Sequence, residues 1–269
     1  MAEPRYCCIT SGKGGVGKTC LAVNLAFALA HQGRRVLLVD GDLGLANVDV
    51  LLDLEVRVTL WDILERGAEP MAALISVRPG LDVLPASSGV SEMANLGSND
   101  QGLLKEVLEG LAASFQYIIL DTAAGLGAAV LWFNSISDLS LVVTTPDPTA
   151  LTDAYALIKV LSQAYHCRRF EVVLNNVQDE KEALVTFNTL AGTADRFLGL
   201  PLHFLGAVPE DPAVRKAVKE QVPFLLSAPQ SKAAQAVHDL ADRLQGISFP
   251  RPARVKPGDH GLKGQSLGP

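Results

Sequence analysis

Eight consecutive residues, Gly12-Lys13-Gly14-Gly15-Val16-Gly17-Lys18-Thr19, place glycines, two lysines and a hydroxyl in the spacing G-x-x-x-x-G-K-[ST]. That order suits a triphosphate. Lacking Cβ atoms, the glycines let backbone N–H groups converge on phosphate oxygens, and a helix starting at once adds the partial positive charge of its N-terminus. Lys18 brings a full charge to the β- and γ-phosphates, while the Thr19 hydroxyl offers a ligand to Mg2+. Gly12 through Thr19, with the following Cys20, are therefore the expected nucleotide contacts. The plain alternative is a glycine-rich turn without a ligand. Context weighs against it, because a strand-like run precedes the motif and a helical one follows.

A phosphate cradle also needs acceptor oxygens for a hard cation and for an attacking water. Val39-Asp40-Gly41-Asp42 puts two carboxylates just beyond one apolar run, and Leu120-Asp121-Thr122-Ala123-Ala124-Gly125 puts another beyond a second. All three are expected to project toward the phosphate edge. Asp121 is the expected holder of Mg2+ through water, beside Thr19. Asp42 is placed to orient the attacking water and to stand near the cation, and Asp40 to support the cation shell. Alone, each would be an ordinary strand-end turn residue.

These side chains need a scaffold that brings distant strand ends together. Apolar runs of strand length recur at Tyr6–Ser11, Val36–Asp40, Leu81–Pro85, Tyr117–Asp121, Leu139–Thr145, Phe170–Asn175 and Phe204–Val208. Several are apolar throughout, as in Val36-Leu37-Leu38-Val39, which fits strands covered on both faces. Helical segments are expected after Gly17, Asp100, Pro148, Asp179, Glu210 and Gln230. The alternation predicts an α/β fold, a doubly wound, mainly parallel sheet flanked by helices on both faces, with its ligand site beyond the carboxyl ends of the strands. Within the helix after Pro148, Tyr155, Ile158 and Leu161 fall at core-facing spacing.

The 269 residues are 48% hydrophobic, enough for one sizeable core, so residues 1–247 are expected to form a single unit. From residue 248 to 269 the chain turns rich in Pro, Gly, Arg and Lys and predicts a flexible basic tail. Cys7, Cys8, Cys20 and Cys167 lack C-x-x-C spacing and read as buried free thiols. A net charge of −6 gives no strong nucleic-acid signal. The absence of a long apolar run and of a leader-like start predicts a cytoplasmic protein.

The second lysine of the motif, Lys13, carries a resemblance. Lys13-Gly14-Gly15-Val16-Gly17-Lys18-Thr19 is similar to the deviant Walker A loop of the MinD/ParA family of P-loop ATPases. There, this lysine reaches across an ATP-sandwiched dimer to the partner's phosphates. The resemblance implies ATP and Mg2+ as cofactors, an ATP-dependent homodimer, and catalytic roles for Lys13, Lys18 and Asp42 in low-turnover hydrolysis. It also implies that Asn175, Pro209 and Asp211 border the adenine. Gly41 through Leu52, Asp121 through Gly125 and Pro146 through Lys159 further resemble the FlhG group of flagellar regulators, whose members are also called FleN or YlxH. That likeness covers about residues 5–245 and implies control of flagellar number and placement from the cytoplasm, with peripheral placement at a pole or the inner membrane through partners. The implied partners are an FlhF-like GTPase, flagellar C-ring proteins and a flagellar transcription activator.

Two departures stand out. The N-terminus lacks the glutamine- and arginine-bearing extension of many such proteins, and Phe249–Pro269 carries prolines at 250, 252, 257 and 269 with no apolar stripe, so membrane association is not expected from it. Two alternatives stay open on the same scaffold: a ParA-like partitioning or positioning ATPase, and an iron-protein-like metabolic ATPase, which would need ligating cysteines at a dimer interface.

Overall fold

The computed structural model describes residues 3–86 and 97–248. Its strands are β1 (Arg5–Ser11), β2 (Val36–Gly41), β3 (Ile75–Arg78), β4 (Leu81–Leu84), β5 (Tyr117–Ala124), β6 (Leu139–Thr144), β7 (Phe170–Val177) and β8 (His203–Pro209). They form one sheet in the order β3-β4-β2-β5-β1-β6-β7-β8. Every neighbouring pair is parallel except β3 with β4. Seven strands coincide with the apolar runs of the sequence. β3 lies outside that set because it is four residues long and largely half-buried, so it shows no apolar run. Pro79-Gly80 turns it back into β4, with Gly80 at φ +85°, a backbone angle that favours glycine.

The helices are α1 (Lys18–His31), α2 (Val48–Leu51), α3 (Leu60–Arg66), α4 (Ser98–Ala112), α5 (Ala128–Ser135), α6 (Pro148–Ala164), α7 (Glu180–Leu198), α8 (Pro212–Lys219), α9 (Phe224–Ser227) and α10 (Lys232–Gly246). On β1, Cys7 and Ile9 face a core shared with α1, α9 and α10, while Cys8 faces one shared with α3, α4 and α5. A third core joins β6 and β7 to α6 and α7. Both sheet faces are thus covered, which is why β2 and β6 are buried at every residue. α1 is buried almost all round, since α10 and α9 cover the side that the sheet leaves free.

Helix starts follow capping chemistry. Asp147, Asp179, Asp211 and Ser231 each accept a backbone N–H of the helix they precede. α4 starts earlier than the sequence suggests: Asp100 sits one turn inside the helix and accepts the Gly97 N–H at 3.0 Å. Four helices, α2, α3, α5 and α9, are additions to the expected six. Three are seven residues or shorter, and α5 is apolar enough to read as a buried strand. Tyr155 is half-buried, and Ile158 and Leu161 are fully buried. Cys7 and Cys8 are buried, whereas Cys20 and Cys167 are only half-buried. Ser248 is the one residue of the expected tail inside the described set; the remainder, 249–269, lies outside it. No helix among the described residues is long and apolar enough to cross a membrane.

From β1 the chain moves outward to β2 and on to the edge strand β3, turns back through β4, crosses to β5 at the side of β1, and then fills the other half with β6, β7 and β8. Strand order therefore reverses at the carboxyl end of β1. In open α/β sheets that is where a ligand crevice forms.

Candidate functional site

The glycine-rich loop sits at this reversal, between the end of β1 and the start of α1. Gly15 and Gly17 adopt φ +78° and +88°, and a Cβ on Gly12 would stand 2.2 Å from the backbone of Asp153 in α6. Three sides hold the loop: Ser11 Oγ donates to the Lys13 carbonyl at 3.0 Å, α6 abuts Gly12, and Asn175 Nδ2 donates to the Val16 carbonyl at 2.7 Å. No side chain caps α1. Its first-turn N–H groups thus keep the donors and the dipole that an anion would use.

Lys18 and Asp121 form the electrostatic centre. Their Nζ and Oδ1 lie 3.4 Å apart, with Asp121 only 1% exposed. Burial pushes the Asp121 carboxyl up, and Lys18, then a hydrogen bond from Thr19, pull it back. Its Oδ2 is buried and has no hydrogen-bond partner. An acceptor left in that state, beside a threonine hydroxyl and a lysine, fits a hydrated divalent cation held jointly with phosphate oxygens.

The other two carboxylates differ from each other. Asp42 is half-buried, close enough to raise Asp121 further, and its Oδ1 accepts the Leu45 N–H at 3.2 Å. Asp40 faces inward. Its Oδ1 accepts the Asp42 N–H at 3.0 Å, and its Oδ2 accepts those of Asn47 at 3.0 Å and Val48 at 3.1 Å. Asp40 was expected to support the cation shell; its carboxylate here holds the backbone of the loop that carries Asp42. Among the described residues no three His, Cys, Asp or Glu side chains gather closely enough to hold an ion by themselves. Burial first and Asp121 second push the Asp40 carboxyl up to about 7, against the pull of its three backbone donors.

Lys13 turns away from its own loop. Its Nζ lies 3.1 Å from Asp147 Oδ2 and also bonds Thr149 Oγ1, both at the start of α6. Asp147, held well below the usual carboxylate range mainly by Thr149 and then by Lys13, caps α6 with its other oxygen. Neither residue has a role that its type alone could announce. The Asp-Pro-Thr sequence marks a helix start, but the contact with Lys13 spans 134 positions.

On the expected adenine side, Asn175 uses its Nδ2 on the loop and so presents Oδ1 as a free acceptor direction. Pro209 lies beside it, since β8 pairs with β7 through Val177 and Pro209. Asp211 is engaged elsewhere: its two oxygens accept the N–H groups of Ala213 at 2.9 Å and Ala233 at 3.2 Å. Only its backbone remains for a base. Cys20 continues the loop into α1, and burial pushes its thiol up to about 11, which leaves it neutral.

A glycine-lined anion nest on a helix N-terminus, a buried lysine and strand-end carboxylates at a sheet reversal define the class of P-loop nucleoside triphosphatases. Residues 4–245 match the ParA family model described as NUBPL iron-transfer P-loop NTPase. The chain is 41% identical over 248 residues to the antiactivator FleN of Pseudomonas aeruginosa, covering 92% of this chain and 88% of FleN. It is 35% identical over 242 residues to the flagellum site-determining protein YlxH of Helicobacter pylori, covering 89% and 81%. Among solved structures, the septum site-determining protein MinD of Pyrococcus horikoshii complexed with Mg-ADP superposes with a TM-score of 0.76 at 29% identity, covering 90% of this chain and 96% of that one. The chain belongs to the ParA/MinD family of P-loop NTPases.

Two measurements check the site. Lys18→Ala strands the Asp121 carboxylate in the interior and should lower the unfolding free energy by about 3 kcal/mol, with Asp121→Asn in the same background recovering most of it. Equal denaturation midpoints for all three proteins would refute the pairing. The second is pH dependence without nucleotide. Because folding raises the Asp40 carboxyl from an ordinary value to about 7, its stabilising contribution is complete below the unfolded value and is lost as pH rises through 7. Stability should thus fall between about pH 4 and pH 7.5, and Asp40→Asn should flatten that fall. An unchanged slope in the variant would remove Asp40 as its source.

Proposed function

We propose that this protein is an ATP-dependent dimerisation switch that regulates flagellar number and placement. Residues 1–247 act as the ATPase unit and 248–269 as a tail. The observation that carries the switch is Lys13: a cation adjoining the phosphate cradle yet directed outward, where it can serve a second copy. The flagellar assignment rests on the likeness to FleN and YlxH over most of the chain.

The geometry supports the following roles. Lys18 exchanges Asp121 for the β- and γ-phosphates. Thr19 and Asp121 hold Mg2+, Asp121 through water, and the bound ion would offset phosphate charge. Asp42, on the loop that Asp40 anchors, orients the attacking water. Asn175 directs an acceptor toward the exocyclic amine of adenine, where guanine would present an opposing carbonyl. Lys13 leaves Asp147 and Thr149 when two copies close and then meets charge developing in the partner's site, a term that arises only in the dimer. Hydrolysis is thereby tied to association. The output is binding to flagellar partners: an FlhF-like GTPase, C-ring proteins or a transcription activator. An iron carrier is less well supported, since Cys7 and Cys8 lie inside the sheet and not on a face two copies could share.

Three variants test the switch. Asp42→Ala should bind Mg-ATP, hydrolyse it at least tenfold more slowly and accumulate as dimer in light scattering; unchanged turnover would remove Asp42 from its role. Lys13→Ala should keep the monomer's Mg-ATP affinity and lose ATP-dependent dimerisation. Asp147→Asn, which preserves the cap on α6 while weakening the hold on Lys13, should instead favour the dimer by a fewfold at most, as befits an exposed ion pair. A dimerisation constant identical in wild type, Lys13→Ala and Asp147→Asn would defeat the proposal. In the source organism, Asp42→Ala should change the number or position of flagella.

A further inference from the structure

Two recesses share α8. On one side, Val23, Leu51, Ala217, Val218, Val222 and Phe224 line an apolar notch over the first turns of α1. On the other, Glu210, Pro212, Arg215, Lys216 and Lys219 line an open groove of about 370 Å³. Val50, Val218 and Val222 at the notch keep between 38% and 55% of their surface exposed. Single exposed aliphatic residues are ordinary, but grouped ones beside a recess indicate a contact surface.

The walls are built with some strain. Gln221 closes α8 at φ +54°, in the left-handed region that glycine favours, and its side chain donates to the Val50 carbonyl at 2.6 Å. That bond ties α8 to α2. Each wall also hangs on a loop of the nucleotide edge, α2 on the Asp40 carboxylate through Asn47 and Val48, and α8 on Asp211.

Charge selects the occupant. The chain is acidic overall, yet three cations crowd this one helix. Arg215 pairs with Glu210 at 3.0 Å and Lys216 with Glu220 at 3.8 Å, both on the exposed surface. Lys219 has no ion pair among the described residues. Exposed pairs hold weakly and exchange readily for an incoming carboxylate. The chain's own C-terminal segment, with Arg251, Arg254, Lys256 and Lys263, has the wrong sign.

We propose that the α2–α8 surface docks an acidic segment of a protein partner whose apolar residues lie against the exposed Val218 and Val222 at the mouth of the notch, itself only about 10 Å³, while its carboxylates meet Arg215, Lys216 and Lys219. Its dependence on nucleotide rests on the switch proposed above: a ligand that moves the Asp40 and Asp211 loops moves both walls, and docking reciprocally changes nucleotide affinity by the same factor.

A phage-displayed library of random 16-residue peptides, panned on nucleotide-free protein and counter-selected on Val218→Asp, tests the surface apart from the switch. Selected peptides should carry net negative charge and apolar residues three or four positions apart. Fluorescence anisotropy should show binding at least tenfold weaker to Val218→Asp, Val222→Asp and the double variant Lys216→Glu/Lys219→Glu, each checked for an unchanged far-UV spectrum, and undiminished binding to Leu184→Asp on α7. No enrichment, enrichment of basic peptides, or indifference to the valine variants overturns the proposal. So does loss of ATP-dependent dimerisation in Val218→Asp, which would assign the surface to a second copy. Peptide affinity equal with and without Mg-ATP would overturn the nucleotide dependence alone.

Discussion

A lysine and an aspartate 3.4 Å apart, both nearly sealed from water, set the terms for the rest of this molecule. Neither could be buried alone, because an unpaired charge in the interior costs several kcal/mol. Their meeting requires that β5 end beside β1 and that the loop after β1 fold back over both, which the reversal of strand order at β1 makes possible. The charge balance is incomplete by construction. Asp121 raises Asp40 and Asp42 raises Asp121, and among the described residues Lys18 is the one buried cation beside them. A site with that excess of carboxylate accepts a divalent cation readily. In the proposed cycle, a cation bound beside Asp121 would offset that charge and leave Lys18 free to meet a phosphate.

The second carboxylate layer shows how binding can be felt away from the ligand. Asp40 is buried beside Asp121 in the neighbouring strand, and its oxygens gather three N–H groups of the loop from Asp42 to Val48. Any change in charge at Asp121 reaches Asp40 first, through a low-dielectric gap. From Asp40 it reaches Asp42 and α2 through hydrogen bonds and not through diffuse motion. A residue expected near the metal thus links the site to the surface.

What the sequence disclosed and what it withheld divide along a physical line. The glycine loop, the strand-end aspartates and seven strands were legible because each depends on neighbours in the chain: a turn needs glycine, a doubly covered strand needs an apolar run, a helix start needs a cap. β3 was hidden because a short edge strand is stabilised by its partner and not by its own composition. α5, Ala128–Ser135, was hidden because an apolar octet has the same period-free look in either conformation. The inward turn of Asp40 and the double capping by Asp211 depend on donors that only the folded loop supplies. The hold of Asp147 on Lys13 is invisible for a different reason: it joins residues 134 positions apart, and neither sequence context points to the other.

That hold has a magnitude suited to a switch. Lys13 and Asp147 are each more than a third exposed, so solvent screens their attraction and the pair holds only weakly. A buried partner for Lys13 would be worth several times more and would have to be broken in both copies before a dimer could close. A lysine with no partner would sweep many rotamers and lose more entropy on docking across the interface. The observed contact lies between these extremes. It keeps the ammonium group near the phosphate edge and in one orientation, while a stronger anion, such as the triphosphate of a second copy, can displace Asp147 without unfolding anything. Because Asp147 also starts α6, and α6 touches Gly12 of the loop, releasing the lysine changes the electrostatics of the helix that supports the nucleotide. In the proposed dimer, one displaced ion pair would therefore report on both copies at once.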